Sequence, residues 1–89
     1  MARGDLLTLE RSASGGHGVG ADALFELGLI YSTGRDVEAD LVAAHKWFNL
    51  AALRGNKAAK EYRSEIAREL DKAQIAEAQR LAREWLSSH

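Results

Sequence analysis

The chain contains no cysteine and no proline. Without thiols, a disulfide framework, a cysteine nucleophile and a cysteine zinc site are excluded together. Without proline, no residue forbids helix outright, and the abundant Ala, Leu, Glu, Arg and Lys favour it. Excess charge of one sign is also missing, with 12 Lys plus Arg against 13 Asp plus Glu, a net charge of -1 and a pI near 6.3. Residues 55–89 hold seven basic and six acidic side chains, and residues 1–54 hold five and seven. Neither half offers the basic field that nucleic acid or an anionic membrane would require, so neither is expected as a partner. No apolar run approaches the roughly 20 residues needed to span a bilayer. The start, "MARGDLLTLERSASGG", has an early Asp and lacks the apolar stretch of about 7 to 15 residues that a secretory signal needs, so a cytoplasmic location is expected if Met1 is the native start.

What is present fits a small soluble domain, with 46% hydrophobic and 28% charged residues in 89. A chain of this size buries roughly 60% of the surface its unfolded form exposes, so its stability is modest. Five of the eight glycines fall within residues 1–20. "SASGGHGVG" has neither helical nor strand periodicity there, so 1–20 reads as a flexible or partly docked lead-in in which 5–11 form a short helical turn.

From Ala21 the pattern is helical. Ala23, Leu27, Ile30 and Tyr31 share a face of a helix over about 21–33, which Gly34 ends. A second helix over about 39–54 carries Leu41, Ala44, Trp47, Phe48, Ala51 and Ala52 and ends at Gly55. A third, about 56–70, presents Ala59, Tyr62, Ile66 and Leu70. Asp71 with Gln74 has capping-box spacing and opens a fourth helix, about 72–87, with Ile75, Ala78, Ala82, Trp85 and Leu86 on its apolar stripe. The expected class is all-α, a short antiparallel helix-hairpin solenoid of four helices in two hairpins, because short connections force sequence neighbours to be antiparallel.

The two halves echo one another. Ala23 falls on Ala59 at an offset of 36, and Ala44 on Ala82 and Trp47 on Trp85 at 38. Within the first hairpin the residues that stand out are Ala23, Phe25, Leu27, Gly28, Tyr31, Gly34, Val37, Asp40, Ala44, Trp47, Ala51, Ala52 and Gly55, followed by Ala59. As a string, A-x-F-x-L-G-x-x-Y-x-x-G-x-x-V-x-x-D-x-x-x-A-x-x-W-x-x-x-A-A-x-x-G closely resembles the Sel-one-like repeat, an α-hairpin related to the tetratricopeptide repeat. The resemblance implies a repeat domain over 21–89, with 21–55 a well-matched hairpin and 56–89 a degenerate one. Asp36 stands where the family commonly has a second glycine, and Asp tolerates the left-handed region. Arg63 and Ser64 stand where Leu27 and Gly28 stood, so the second hairpin lacks the small-residue notch and reads as a capping repeat with a polar outer face. Gly28, Ala44, Ala51 and Ala52 are small where helices approach closely, and Leu27, Tyr31, Trp47 and Phe48 fill between hairpins.

No reactive constellation emerges. Asp36, Glu38 and Asp40 imitate the first three ligands of a calcium loop, but Leu41 and Trp47 occupy the positions where that loop needs Gly and a bidentate Glu. Acids before a helix are expected from its dipole, and Asp40 can cap the amide of Val42 or Ala43. His17, His45 and His89 have no partner at metal-ligand spacing, and His45 beside Lys46 is expected on a solvated face. Ser12, Ser14 and Ser32 lack an elbow-type sequence, and "GGHGVG" follows no strand and lacks a G-K-[ST] ending. Trp47, Phe48 and Trp85 are expected to be core more than stacking platforms, Trp85 packing inward or sealing a contact with another subunit. No catalytic residue, metal or cofactor is expected.

The family resemblance implies a non-enzymatic protein-interaction module or adaptor, its partner held on the concave side lined by the first helix of each hairpin. Removing packing positions leaves Asp22, Glu26, Leu29 and Thr33 on the first helix and Glu61, Tyr62, Glu65 and Glu69 on the third, an acidic strip suited to a basic peptide. One alternative is a self-associating structural subunit, since arrays usually need about three repeats and the open face of the first two helices must be covered by residues 5–11 or by a second chain. A helix-turn-helix nucleic-acid binder is the less favoured alternative.

Overall fold

The computed structural model describes residues 20–88. The lead-in, with the helical turn expected at 5–11, His17, Ser12 and Ser14, lies outside the described residues, as does His89. Four helices follow in order: α1 (Ala21–Thr33), α2 (Leu41–Leu53), α3 (Lys57–Ala67) and α4 (Lys72–Ser88).

Each boundary is set by a local backbone device. Gly34 ends α1 at φ 73°, and its N–H and that of Arg35 both reach Ile30 O, at 2.9 and 3.1 Å. Asp36 takes φ 64°, the left-handed region that its aspartate character permits, and Asp40 N–H returns to Tyr31 O at 3.0 Å. Asp40 Oδ1 then accepts from Ala43 N–H at 3.0 Å, so Asp40 is the N-cap and α2 begins at Leu41, two residues later than the sequence pattern places it. Gly55, at φ 105°, lets Asn56 N–H reach back to Ala51 O at 2.9 Å, and Asn56 Oδ1 accepts from Ala59 N–H at 2.9 Å to start α3. The helix expected to run to Leu70 stops at Ala67 because the amides of Arg68, Glu69 and Leu70 bond three residues back, tightening the last turn. Asp71 and Gln74 form a reciprocal capping box, Gln74 N–H to Asp71 Oδ1 at 2.8 Å and Asp71 N–H to Gln74 Oε1 at 3.0 Å.

Helix α2 is the hub. The extensive helix packings among the described residues are α1 on α2, α2 on α3 and α2 on α4. Accordingly α2 is buried around much of its circumference, at Ala44, His45, Trp47, Phe48, Leu50 and Ala51. Leu24, Leu27 and Ile30 from α1, Ala59 and Ile66 from α3, and Ala82 and Trp85 from α4 complete the core, with Val37 of the interhelix loop packed against it. Each fully buried Leu or Phe contributes about 1.5–3 kcal/mol.

The closest approach is at Gly28. A Cβ there would lie 2.5 Å from both Cδ1 and Cε1 of Phe48, whose ring is fully buried. Phe48 in turn contacts Phe25 at 5.6 Å and Tyr62 at 5.4 Å between centroids, and Phe25 meets Tyr62 edge-on at 5.1 Å. At the other side of α2, Trp47 meets Trp85 edge-on at 6.2 Å, so the two repeat-equivalent tryptophans pack on one another. Lys46 Nζ lies 4.0 Å above the Trp47 ring and the Arg54 guanidinium 5.4 Å from that of Trp85.

His45 corrects an expectation. Its side chain is buried at 4% exposure, not solvated, because α2 is covered from three sides. Its Nδ1 has no hydrogen-bond partner. Burial, and then the nearby positive charge of Arg63, hold its pKa below the ordinary histidine value.

Three outcomes follow from this packing. Gly28→Ala gains roughly 1 kcal/mol of helix propensity but overpacks against Phe48 by about 1–3 kcal/mol, so urea denaturation should show a net loss of up to about 2 kcal/mol, reduced when Phe48→Leu is added. Asp40→Ala should lose about 1 kcal/mol in the same assay through the vacated cap on Ala43. A folded-state histidine pKa below the unfolded value near 6.5 means the folded protein binds fewer protons. The stability linked to His45 is therefore complete above about pH 6.5 and is lost as pH falls from there through the folded-state value. The urea midpoint should drop between about pH 7 and pH 5, and His45→Leu should flatten that dependence.

Candidate interaction surface

Positions 22, 26, 29 and 33 follow one another at helical spacing along α1, and 61, 65 and 69 do so from α3 into its terminal turn. Two side-chain contacts join the stripes. Asn56, the N-cap of α3, donates from Nδ2 to Asp22 Oδ1 at 3.2 Å, and Tyr62 of α3 stands edge-on to Phe25 of α1. The first turn of each helix is therefore tied to its neighbour through a side chain.

The eight residues differ in their surroundings. Asp22 is exposed and accepts from Asn56, while Glu26 is half-buried and ion-paired with Arg35 of the following loop. Leu29 is half-buried against the core, and the hydroxyl of the exposed Thr33 donates to its carbonyl oxygen at 2.7 Å. Tyr62 is 42% exposed while its ring is packed against both Phe25 and Phe48. Glu61 and Glu65 line a shallow cleft of about 560 Å³ on the outer side of α3, alongside Lys57, Lys60, Arg63 and Arg68. Glu69 lies instead in a cleft of about 490 Å³ with Tyr31, Glu38, Asp40, Leu70 and Gln74. Tyr62 is thus joined to the α1 stripe, whereas Glu61 and Glu65 stand among cations and Glu69 opens toward the loop before α2.

The repeat positions separate into packing and backbone roles. Leu27, Gly28, Ala44, Trp47, Ala51 and Ala59 are buried, and Ala23, Tyr31, Val37 and Ala52 are half-buried. Asp40 and Gly55 are exposed, the first a cap and the second a turn, since a Cβ on Gly55 would touch nothing. Arg63, in place of an apolar residue, donates to Asn49 Oδ1 of α2 at 2.6 Å. On α4, Arg80 donates to Glu77 at 2.8 and 2.7 Å and pairs with Glu84, and its hydrogen bond holds the Glu77 carboxyl below its ordinary pKa.

Sequence reasoning missed Asn56 as cap and bridge, although Gly55-Asn56 before a helical run is a recognisable start signal. It also missed the Glu26–Arg35 and Arg63–Asn49 contacts, which join different elements and leave no local pattern. Among the described residues no three of His, Cys, Asp and Glu are grouped to hold a metal, and no helix is long and apolar enough to cross a membrane.

The model of the Sel1 repeat matches residues 21–56. No curated protein and no solved structure matches the chain. Sel1 repeats generally mediate protein–protein interaction. With α1 and α2 packed through the Gly28 notch, the glycine and aspartate turn between them, and Asn56 closing the matched segment, the first helical hairpin of this chain is similar to the Sel1 repeat.

Proposed function

We propose that the chain is a non-enzymatic adaptor whose binding surface is the side shared by α1 and α3, and that it takes a basic peptide segment of a partner protein. The observation that carries this reading is Tyr62, a tyrosine 42% exposed and held against both Phe25 and Phe48. A pre-positioned aromatic that stays partly exposed loses little entropy on binding, and such residues dominate interface energetics. Asp22 and Glu26 supply carboxylates on the α1 side of it and Leu29 and Thr33 continue the α1 stripe, while on the α3 side Glu61 precedes Tyr62 and Glu65 and Glu69 follow it at helical spacing. A lysine- or arginine-bearing segment crossing Tyr62 would find charge on either side of an apolar contact.

The outer positions of α3 and α4 support a capping role for the second hairpin. Lys57, Lys60, Ser64 and Arg68 of α3, and Gln79, Arg80, Arg83 and Glu84 of α4, are exposed. A face of this polarity shields the core from water without needing a further repeat.

The test is a fluorescence titration with a labelled peptide of alternating lysine and tyrosine, at low and high salt. Glu61→Gln, Glu65→Gln and Glu69→Gln combined should weaken binding by about tenfold and flatten its salt dependence, since the three side chains are exposed and their removal leaves the core intact. Equal affinity for this variant and the parent would place the basic-peptide site elsewhere.

A further inference from the structure

We propose that the groove between the C-terminal end of α2 and the first half of α3 docks an acidic partner segment, with Leu53 contacting an apolar side chain and Lys57, Lys60 and Arg63 contacting its flanking carboxylates. The groove has a volume of about 440 Å³ and carries those three cations and no carboxylate in its lining. The same three cations also line the neighbouring cleft that holds Glu61 and Glu65, so the acid-free lining is confined to the groove beside Leu53.

Leu53 is 62% exposed, the most exposed large hydrophobic side chain among the described residues, ahead of Tyr62 at 42% and Leu86 at 41%. It closes α2, where a polar residue would satisfy the helix equally well. Gly55 is among the lining residues, and a Cβ there would meet nothing within 4 Å.

Lys57, Lys60 and Arg63 follow at intervals of three, which keeps neighbouring members of the set on one side of α3. Among the described residues neither lysine is ion-paired. Arg63 commits one nitrogen to Asn49 Oδ1 at 2.6 Å, which steadies its guanidinium while leaving donors for a carboxylate. An acidic segment with a leucine or phenylalanine among its carboxylates complements both features, burying Leu53 and neutralising the rim. Tyr62 does not line this groove, so either contact can fail without the other.

Nuclear magnetic resonance titration of the full chain with a peptide of alternating glutamate and leucine tests the assignment, a lysine–leucine peptide of equal length serving as control. The expected result is shifts centred on Leu53, Lys57, Lys60 and the Arg63–Asn49 pair, with affinity falling about tenfold or more in Lys57→Glu combined with Lys60→Glu, and by about tenfold in Leu53→Ala. Both variants change exposed side chains, and an unchanged circular dichroism melt confirms that the fold is kept. Glu61→Gln combined with Glu65→Gln should not weaken this peptide. Absence of binding, shifts centred on Tyr62, equal binding of the lysine–leucine peptide at the same residues, or capture of a random DNA duplex by these lysines in preference to the peptide would each overturn the proposal.

Discussion

The structure depends on the contact that glycine permits at position 28. Because no Cβ stands there, the Phe48 ring lies directly against the backbone of α1, and a methyl group would fall 2.5 Å from two of its carbons. The same ring then reaches α1 again through Phe25 and α3 through Tyr62. One missing side-chain atom thereby fixes the spacing of two helices and the position of the aromatic that links them to a third. Close packing makes such a site intolerant, since a core at crystal-like density has no room into which a buried ring can retreat.

Making one helix the centre has an electrostatic consequence. Helix α2 is covered by α1, α3 and α4, and a helix of 13 residues so enclosed must bury whatever its sequence places on its sides. At His45 this means an imidazole with an unbonded Nδ1, stable as a neutral group and opposed to protonation by Arg63. The three neighbours do not brace one another to the same extent. Arg63 and Ser64 replace the leucine–glycine pair that lets α1 and α2 nest, and α3 and α4 pack chiefly on α2 instead of on each other.

What could be read from the sequence was the local chemistry. The left-handed conformations at Gly34 and Asp36, the Asp40 cap and the Asp71–Gln74 box each depend on residues within a few positions of one another, and all four are present. The apolar stripes identified much of the core but omitted the fully buried Leu24 and Leu50 and included Leu86, which is exposed, and the offset of 38 anticipated two equivalent tryptophans without indicating that they touch. His45 was misread because a helix flanked by one partner has a solvated side and a helix flanked by three does not, and the number of neighbours is a tertiary property. For the same reason the eight surface candidates were legible as two stripes, whereas Asn56 bridging to Asp22, Arg35 pairing with Glu26 and the cations beside Glu61 and Glu65 were not.

The arrangement of α3 ties these levels together. Its core side is fixed by Ala59 and Ile66, Tyr62 is held by the α1–α2 aromatics, and Arg63 is anchored to Asn49, so rotation of the helix about its axis is opposed at several points. A helix held in that way gives its charges fixed directions. The cations at 57, 60 and 63 border the groove beside Leu53 and also share a cleft with the carboxylates of 61 and 65, so a single element holds both signs of charge at fixed positions. In a hairpin similar to the Sel1 repeat, a family that generally mediates protein–protein interaction, rigid packing lets a near-neutral chain hold both signs of charge at fixed positions. The packing contact at Gly28 and the polarity of the outer faces are thus two ends of one chain of causes.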